Sequence, residues 1–271
     1  MMAQFGFIQG RVTKTPSKKI LQYFPVNSWR NEFSIASKLK FNFIEYFGER
    51  IKNLKNPIWS KNGLKEINYL NKINRLRSHT FCDDFFIHHK LLSYPESENY
   101  FKNLRKNLSI IGVKIYVLAL FEKSEIKKNN LDKYIPKLKK ISKIFHEKKI
   151  KLALESNLDA ELIIKLIKLI KSKNTFIVYD TGNRLKRNNL QYNEILKLKK
   201  NICHFHIKDK NWKGENVVLG KGAVNFNKIF NAVKKIKYRG KFTFETNRGK
   251  DPFITMKKNK EFIKKYYKKI I

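Results

Sequence analysis

Eight times along this 271-residue chain, a short apolar, β-branched or aromatic run is followed by a longer amphipathic segment. No other feature narrows the fold as far. Parallel strands need crossovers of a dozen or more residues, and a crossover helix must bury one face on the sheet. The runs are Gln4–Ile8, Asn42–Phe47, Arg75–Phe81, Val113–Phe121, Ile150–Glu155, Thr175–Asp180, Ile202–Lys208 and Lys241–Glu245. Helical periodicity fills Trp29–Leu39, Gly63–Ile73, Tyr100–Ile111, Leu131–His146, Leu162–Ile170, Asn193–Lys199, Phe226–Ile236 and Lys257–Ile270. Asn157 is expected to cap the helix holding Leu162–Ile170, with Asp159 and Glu161 in its first turn. No linker rich in Pro, Gly or Ser interrupts the series. The expectation is an α/β protein, a single (β/α)₈ TIM barrel domain over residues 1–271.

Charge pulls toward a different reading. The formal charge is +38, the footprint of many nucleic-acid binders. Yet fifty lysines stand against ten arginines, and they are spread over nearly the whole chain. The rest of the composition leans to Asn, Ile, Phe and Tyr, residues with AT-rich codons. Solvated helix faces account for the lysine without a nucleic-acid partner. A content of 42% hydrophobic and 13% aromatic residues excludes a disordered polycation. Apolar runs such as Ile115 to Phe121 fall far short of the roughly 20 residues that span a bilayer, so no membrane partner is expected. The opening residues carry no secretory pattern, and Cys82 and Cys203 are too few for a disulfide scaffold. A cytoplasmic location is the expectation.

In such barrels the chemistry sits at the C-terminal strand ends. Four successive strands end on polar residues: Glu155, Asp180, His206 and Glu245. Two Glu, one Asp and one His form a mixed oxygen and nitrogen set suited to one divalent metal ion, Mn²⁺, Mg²⁺, Co²⁺ or Zn²⁺. His204 and His206 share a strand face because side chains alternate with period two, and His206 lies nearer the rim. His204 is expected deeper, either as a satisfied core histidine or as a group supporting the ligands from behind. Gln9, Arg11, Glu45 and His79 either hydrogen-bond a polyhydroxylated substrate or pair locally inside the barrel, and Lys208 is a further substrate-binding candidate. Arg248 is an anion-binding candidate. Gly220-Lys221-Gly222, ahead of a helix beginning near Asn225, is either a phosphate cradle or a plain turn. His88, His89 and His146 are expected at the surface or in packing.

Together these segments resemble a family. Gly6-Phe-Ile-Gln-Gly-Arg11, Phe24-Pro25, Trp29 with Glu32-Phe33, and Phe43-Ile-Glu45 open the likeness. Leu152-Ala-Leu-Glu155, Tyr179-Asp-Thr-Gly-Asn183, His204-Phe-His-Ile-Lys-Asp209, Leu219-Gly-Lys-Gly222 and Phe242-Thr-Phe-Glu245 complete it. The ordered set resembles the xylose isomerase-like TIM barrels known as sugar phosphate isomerases/epimerases. The resemblance implies that Glu155, Asp180, His206 and Glu245 bind one divalent metal. It further implies that Glu155 and Glu245 act as an acid/base pair, as in ketose 3-epimerases. Moving a proton next to a carbonyl through an enediolate needs such a pair. The implied partner is a small-molecule sugar or sugar phosphate, with room for a homo-oligomer.

Two neighbours in the superfamily compete. Endonuclease IV-type apurinic-site nucleases would give the charge a purpose, but they need a histidine-rich multinuclear zinc cluster. This chain has six histidines, and Asn183 stands three residues after Asp180, where that family places one. Inosose dehydratases share the same metal set and are harder to separate.

Overall fold

The computed structural model describes residues 4–16, 21–185 and 190–267. Its strands are β1 (Gln4–Ile8), β2 (Phe43–Gly48), β3 (Arg77–Asp83), β4 (Ile115–Ala119), β5 (Lys151–Glu155), β6 (Thr175–Asp180) and β7 (Ile202–Ile207), then the short β8 (Asp209–Lys210) and β9 (Asn216–Val217), and β10 (Lys241–Phe244). The helices are α1 (Asn31–Lys38), α2 (Lys61–Ile73), α3 (Phe85–His88), α4 (Ser97–Ile110), α5 (Leu131–His146), α6 (Ala160–Ile170), α7 (Gln191–Leu198), α8 (Phe226–Lys235) and α9 (Pro252–Tyr267). Eight of the strands form a closed parallel barrel in the order β1-β10-β7-β6-β5-β4-β3-β2, the (β/α)₈ fold that the alternation predicts. β8 and β9 pair separately as an antiparallel hairpin.

The chain divides into two compact units, Ile44–Ile177 on one hand and Met1–Phe43 with Val178–Ile271 on the other. In the unit Ile44–Ile177, β3 to β6 form a ladder in which Thr80 pairs with Ile115, Ile115 with Lys151, and Leu152 with Thr175. Every β4 residue is buried, so the strand reads as a continuous apolar run rather than an alternating one. Its Tyr116 stacks on Phe145 of α5 at 4.2 Å, and Phe101 of α4 packs edge-on against the same ring. On α6, Ala160, Ile163, Leu166 and Ile170 recur at helical spacing and are buried.

In the other unit, β1, β10 and β7 align Phe5, Phe242 and Phe205 across the ladder. Their rings pack at 5.5 and 5.4 Å, and Phe230 of α8 and Tyr238 cover them. Period two turns Thr243, His204 and His206 to the opposite face of the same strands.

The sequence and the structure differ at the ends of elements. Asp159, not Asn157, caps α6, its carboxylate accepting the Leu162 amide at 2.9 Å. α9 begins five residues ahead of the expected Lys257, because Asp251 accepts the Ile254 amide and Pro252 takes the first turn. Residues 268–270 of that expected helix lie outside the described residues. β3 runs on to Asp83, past the apolar run, because Cys82 and Asp83 still pair with Val117 and Leu118. Among the described residues no helix is long and apolar enough to cross a membrane.

Candidate metal centre

The ends of β6, β7 and β10 bring Asp180, His206 and Glu245 together. All three are buried, Glu245 the most exposed at 4%. Asp180 is set by a tight turn: its Oδ1 accepts the amides of Gly182 and Asn183 at 2.8 and 2.6 Å, which leaves Oδ2 turned away from its own backbone. Thr181 then locks β6 to β7, donating to the Lys208 carbonyl at 2.6 Å and accepting the Lys208 amide at 2.9 Å. Gly182 is required here for space. A Cβ at that position would lie 2.7 Å from Cγ of Lys208.

That clearance lets Lys208 reach inward. Its Nζ bridges Asp180 Oδ2 at 2.9 Å and Glu245 Oε1 at 2.7 Å. Arg11 adds a second cation, 3.4 Å from Glu245 Oε1, while donating to Gln22 Oε1 at 2.8 Å. Gln22 in turn donates to Glu245 Oε1 at 2.9 Å, and His206 Nδ1 lies 3.0 Å from Oε2. Burial by itself raises the Glu245 pKa. The Lys208 charge, the His206 hydrogen bond and charge, and Arg11 outweigh it and hold the carboxyl well below the usual range.

Asp180, His206 and Glu245 each offer one ligand atom within 4.8 Å of the others. Two ligands on one ion at roughly 2.0–2.4 Å are separated by no more than about 4.8 Å. The donor set therefore fits a divalent cation: buried carboxylate oxygens and an imidazole nitrogen, with the Lys208 ammonium already held between two of the acids. His204 is buried one pleat deeper on β7, its Nε2 2.8 Å from Thr243 Oγ1.

The other candidates divide. Gln9 is buried after β1 and Glu45 is buried within β2. Glu155 is the buried last residue of β5. Arg248 is tied by its Nε to Gly10 O at 2.6 Å and by Nη1 to Leu21 O at 2.8 Å. His79 departs from expectation. It is the third residue of β3, and its carbonyl accepts from Lys114 just ahead of β4, so it sits at the N-terminal end of that ladder. The C-terminal end of β3 carries Asp83 instead, buried between Tyr116 Oη at 2.7 Å and Tyr100 Oη at 3.0 Å. Burial pushes the Asp83 pKa up to about 6 against those hydrogen bonds. The Gly220–Gly222 turn is no phosphate cradle. Asp209 already accepts the amides of Gly220, Gly222 and Val224 at 2.9, 3.0 and 3.2 Å, so an internal anion fills the place.

Sequence reading misses Gln22, Asp83 and the filled role of Asp209. Gln22 lies in an irregular loop, and no periodic pattern points at it. Asp83 follows an apolar run, the same signal that marks Glu155 and Asp180.

A family profile described as xylose isomerase-like TIM barrel matches residues 33–266. An uncharacterised protein of Methanocaldococcus jannaschii is 29% identical over 147 residues, 50% of this chain and 49% of that protein. The match thus spans about half the length of that curated relative. Among solved structures, L-ribulose 3-epimerase superposes with a TM-score of 0.78 at 15% identity, over 99% of this chain and 96% of that one. D-allulose 3-epimerase from Methylomonas sp. gives 0.76 at 16% identity, with 98% of both chains covered. The 3-keto-D-glucoside 4-epimerase of E. coli gives 0.72 at 14% identity, over 97% of this chain and 99% of that one. At such identities the likeness is one of fold.

Proposed function

This chain belongs to the xylose isomerase-like TIM barrel family, and on that premise we propose that it is a metal-dependent isomerase or epimerase of a sugar or sugar phosphate. One observation carries the reading: buried Asp180, His206 and Glu245 converge at successive strand ends with ligand atoms within 4.8 Å. The family match across residues 33–266 supports treating the chain as one domain. Three structural neighbours that are sugar epimerases support the substrate class.

Asp180, His206 and Glu245, with Glu155 from the adjoining strand β5, would hold one divalent ion, for which Mn²⁺, Mg²⁺, Co²⁺ and Zn²⁺ are the candidates. When bound, such an ion supplies positive charge against the negative charge that develops on substrate oxygens. The side chains do the proton work. Glu155, ending β5, and Glu245, just past β10, remove a proton next to the carbonyl and return one to the opposite face or the adjacent carbon. Lys208 and Arg11 serve this chemistry by holding Glu245 ionised and oriented. Of the expected substrate contacts Gln9, Glu45 and Arg248 remain proposed as such, Arg11 and Lys208 take the role toward Glu245 instead, and His79 leaves the set. Asn183 in place of histidine withholds a ligand that a nuclease zinc cluster needs.

The test is solvent exchange. The metal-loaded protein is incubated in D₂O with a panel of ketoses and ketose phosphates. Deuterium is expected at a carbon next to the carbonyl, and Glu155→Gln and Glu245→Gln should each slow its entry by about 10²-fold or more. Near-normal exchange in both variants would sink the mechanism. Turnover with the original hydrogen retained would replace it with a hydride shift.

A further inference from the structure

Lys208 follows β7 directly and stands two residues beyond His206, so period two sends both side chains to one face. Thr181 holds its backbone from both sides, by the carbonyl and by the amide. Its stem runs against Gly182, where an added Cβ would lie 2.7 to 3.1 Å from Cγ, Cβ and Cδ of the lysine. That guided path leaves Lys208 only 3% exposed. A lysine so deeply buried needs a partner for its charge. Here the partners are two carboxylates of the proposed ligand set, Asp180 and Glu245.

The two contacts are unequal. Glu245 Oε1 lies 2.7 Å from the ammonium, and Gln22 and Arg11 reach the same oxygen at 2.9 and 3.4 Å. Asp180 Oδ2 lies 2.9 Å away but accepts no hydrogen bond, although it is buried. The other oxygen of that carboxylate is taken by the Gly182 and Asn183 amides, which already fix the turn. Asp180 is thus oriented without Lys208, and the lysine contributes charge to the one oxygen left over.

We propose that Lys208 is a built-in competitor of the divalent ion, which faces Asp180 Oδ2 until an ion takes it and so holds the metal affinity down. The inference rests on the metal-centre reading of the site and not on the isomerase activity. Buried carboxylates are costly without a compensating charge, and the ammonium supplies that charge to a metal-free chain. An ion on Asp180 Oδ2 brings a second cation against the ammonium in a buried place, where like charges repel strongly. The ammonium then gives up the unaligned contact with Asp180. It keeps the shorter one with Glu245, a shift that a flexible four-carbon stem allows.

The probe is Mn²⁺ alone, titrated into the metal-free full-length chain at fixed pH and ionic strength, with the free ion read by electron paramagnetic resonance. Lys208→Met and Lys208→Gln retain most of the stem and remove the charge. Each should bind Mn²⁺ about tenfold more tightly than the parent. Without metal, both should melt below the parent, because two buried carboxylates lose a cation, and saturating Mn²⁺ should narrow that gap. Lys221→Ala removes the same charge from an exposed position in the Gly220–Gly222 turn and should leave the affinity unchanged. Circular dichroism confirms that each variant is folded at the titration temperature. Equal or weaker Mn²⁺ binding by both Lys208 variants would reduce the lysine to a structural role and overturn the proposal. Equal tightening by Lys221→Ala would overturn it in favour of the general field of a basic chain. Should neither the parent nor any variant bind Mn²⁺, the metal reading falls and the competitor with it. Tighter binding by the Lys208 variants with no deuterium exchange on any ketose removes the isomerase and keeps the competitor.

Discussion

Glu32 lies on α1 with no exposure to solvent, and its Oε1 accepts the Gly10 amide at 2.7 Å. Burial pushes its pKa from 4.5 up to about 8, against that hydrogen bond and the Arg248 charge. The unfolded chain releases the proton near pH 4.5, whereas the folded chain keeps it until about pH 8. Stability therefore falls as pH rises through that window, by up to about 1.4 kcal/mol per unit, and changes no further on either side. Glu32→Gln keeps the acceptor and removes the ionisation. In urea unfolding the variant should gain on the parent steadily from pH 5 to pH 8. A difference that stays flat with pH would mean that Glu32 ionises freely inside the fold. Glu32 also marks a boundary of what residue patterns show. Asp180, His206 and Glu245 announce themselves as polar exceptions ending apolar runs, whereas Glu32 looks like any acid in a helix first turn. Only its surroundings make it unusual.

At the scale of elements, helix extents follow the apolar periodicity closely, and α5 coincides with its expected span. Helix ends do not, and lysine is one reason. Lys40, Arg75, Lys149, Lys171 and Lys237 follow α1, α2, α5, α6 and α8 with φ between 52° and 55°. That is the left-handed conformation usually given to glycine after a helix, and it costs other residues about 1–2 kcal/mol. A cation there recovers part of the cost from the helix dipole. With no glycine to mark the stop, the sequence signals these ends poorly. Lys171, exposed with φ 52° and ψ 40°, isolates the effect. Lys171→Gly should stabilise the protein by roughly 0.5–1 kcal/mol in thermal or urea unfolding. An unchanged or lower midpoint would show that the dipole interaction and the lost chain entropy cancel the relief.

Over the whole molecule, +38 charges create a long-range field that attracts anions before any contact forms. If the substrate carries a phosphoryl group, its kcat/KM should fall as NaCl rises from about 10 to 200 mM, because the Debye length shrinks from about 30 Å to below 10 Å. The neutral parent sugar, assayed beside it, should show no comparable fall. Equal salt dependence for both would remove steering from the account. By itself, the sequence determined the eight βα units, the barrel they build and the polar residues at its strand ends. Those follow from periodicity and from polar exceptions, both local along the chain. Tertiary structure alone decided the pairings: Lys208 between Asp180 and Glu245, Asp209 on the glycine amides, Arg248 on the Gly10 and Leu21 carbonyls, His79 at the wrong end of its strand. Such pairings depend on where loops carry residues 11, 22, 208 and 245 in space, and no local pattern encodes a distance between segments so far apart in the chain.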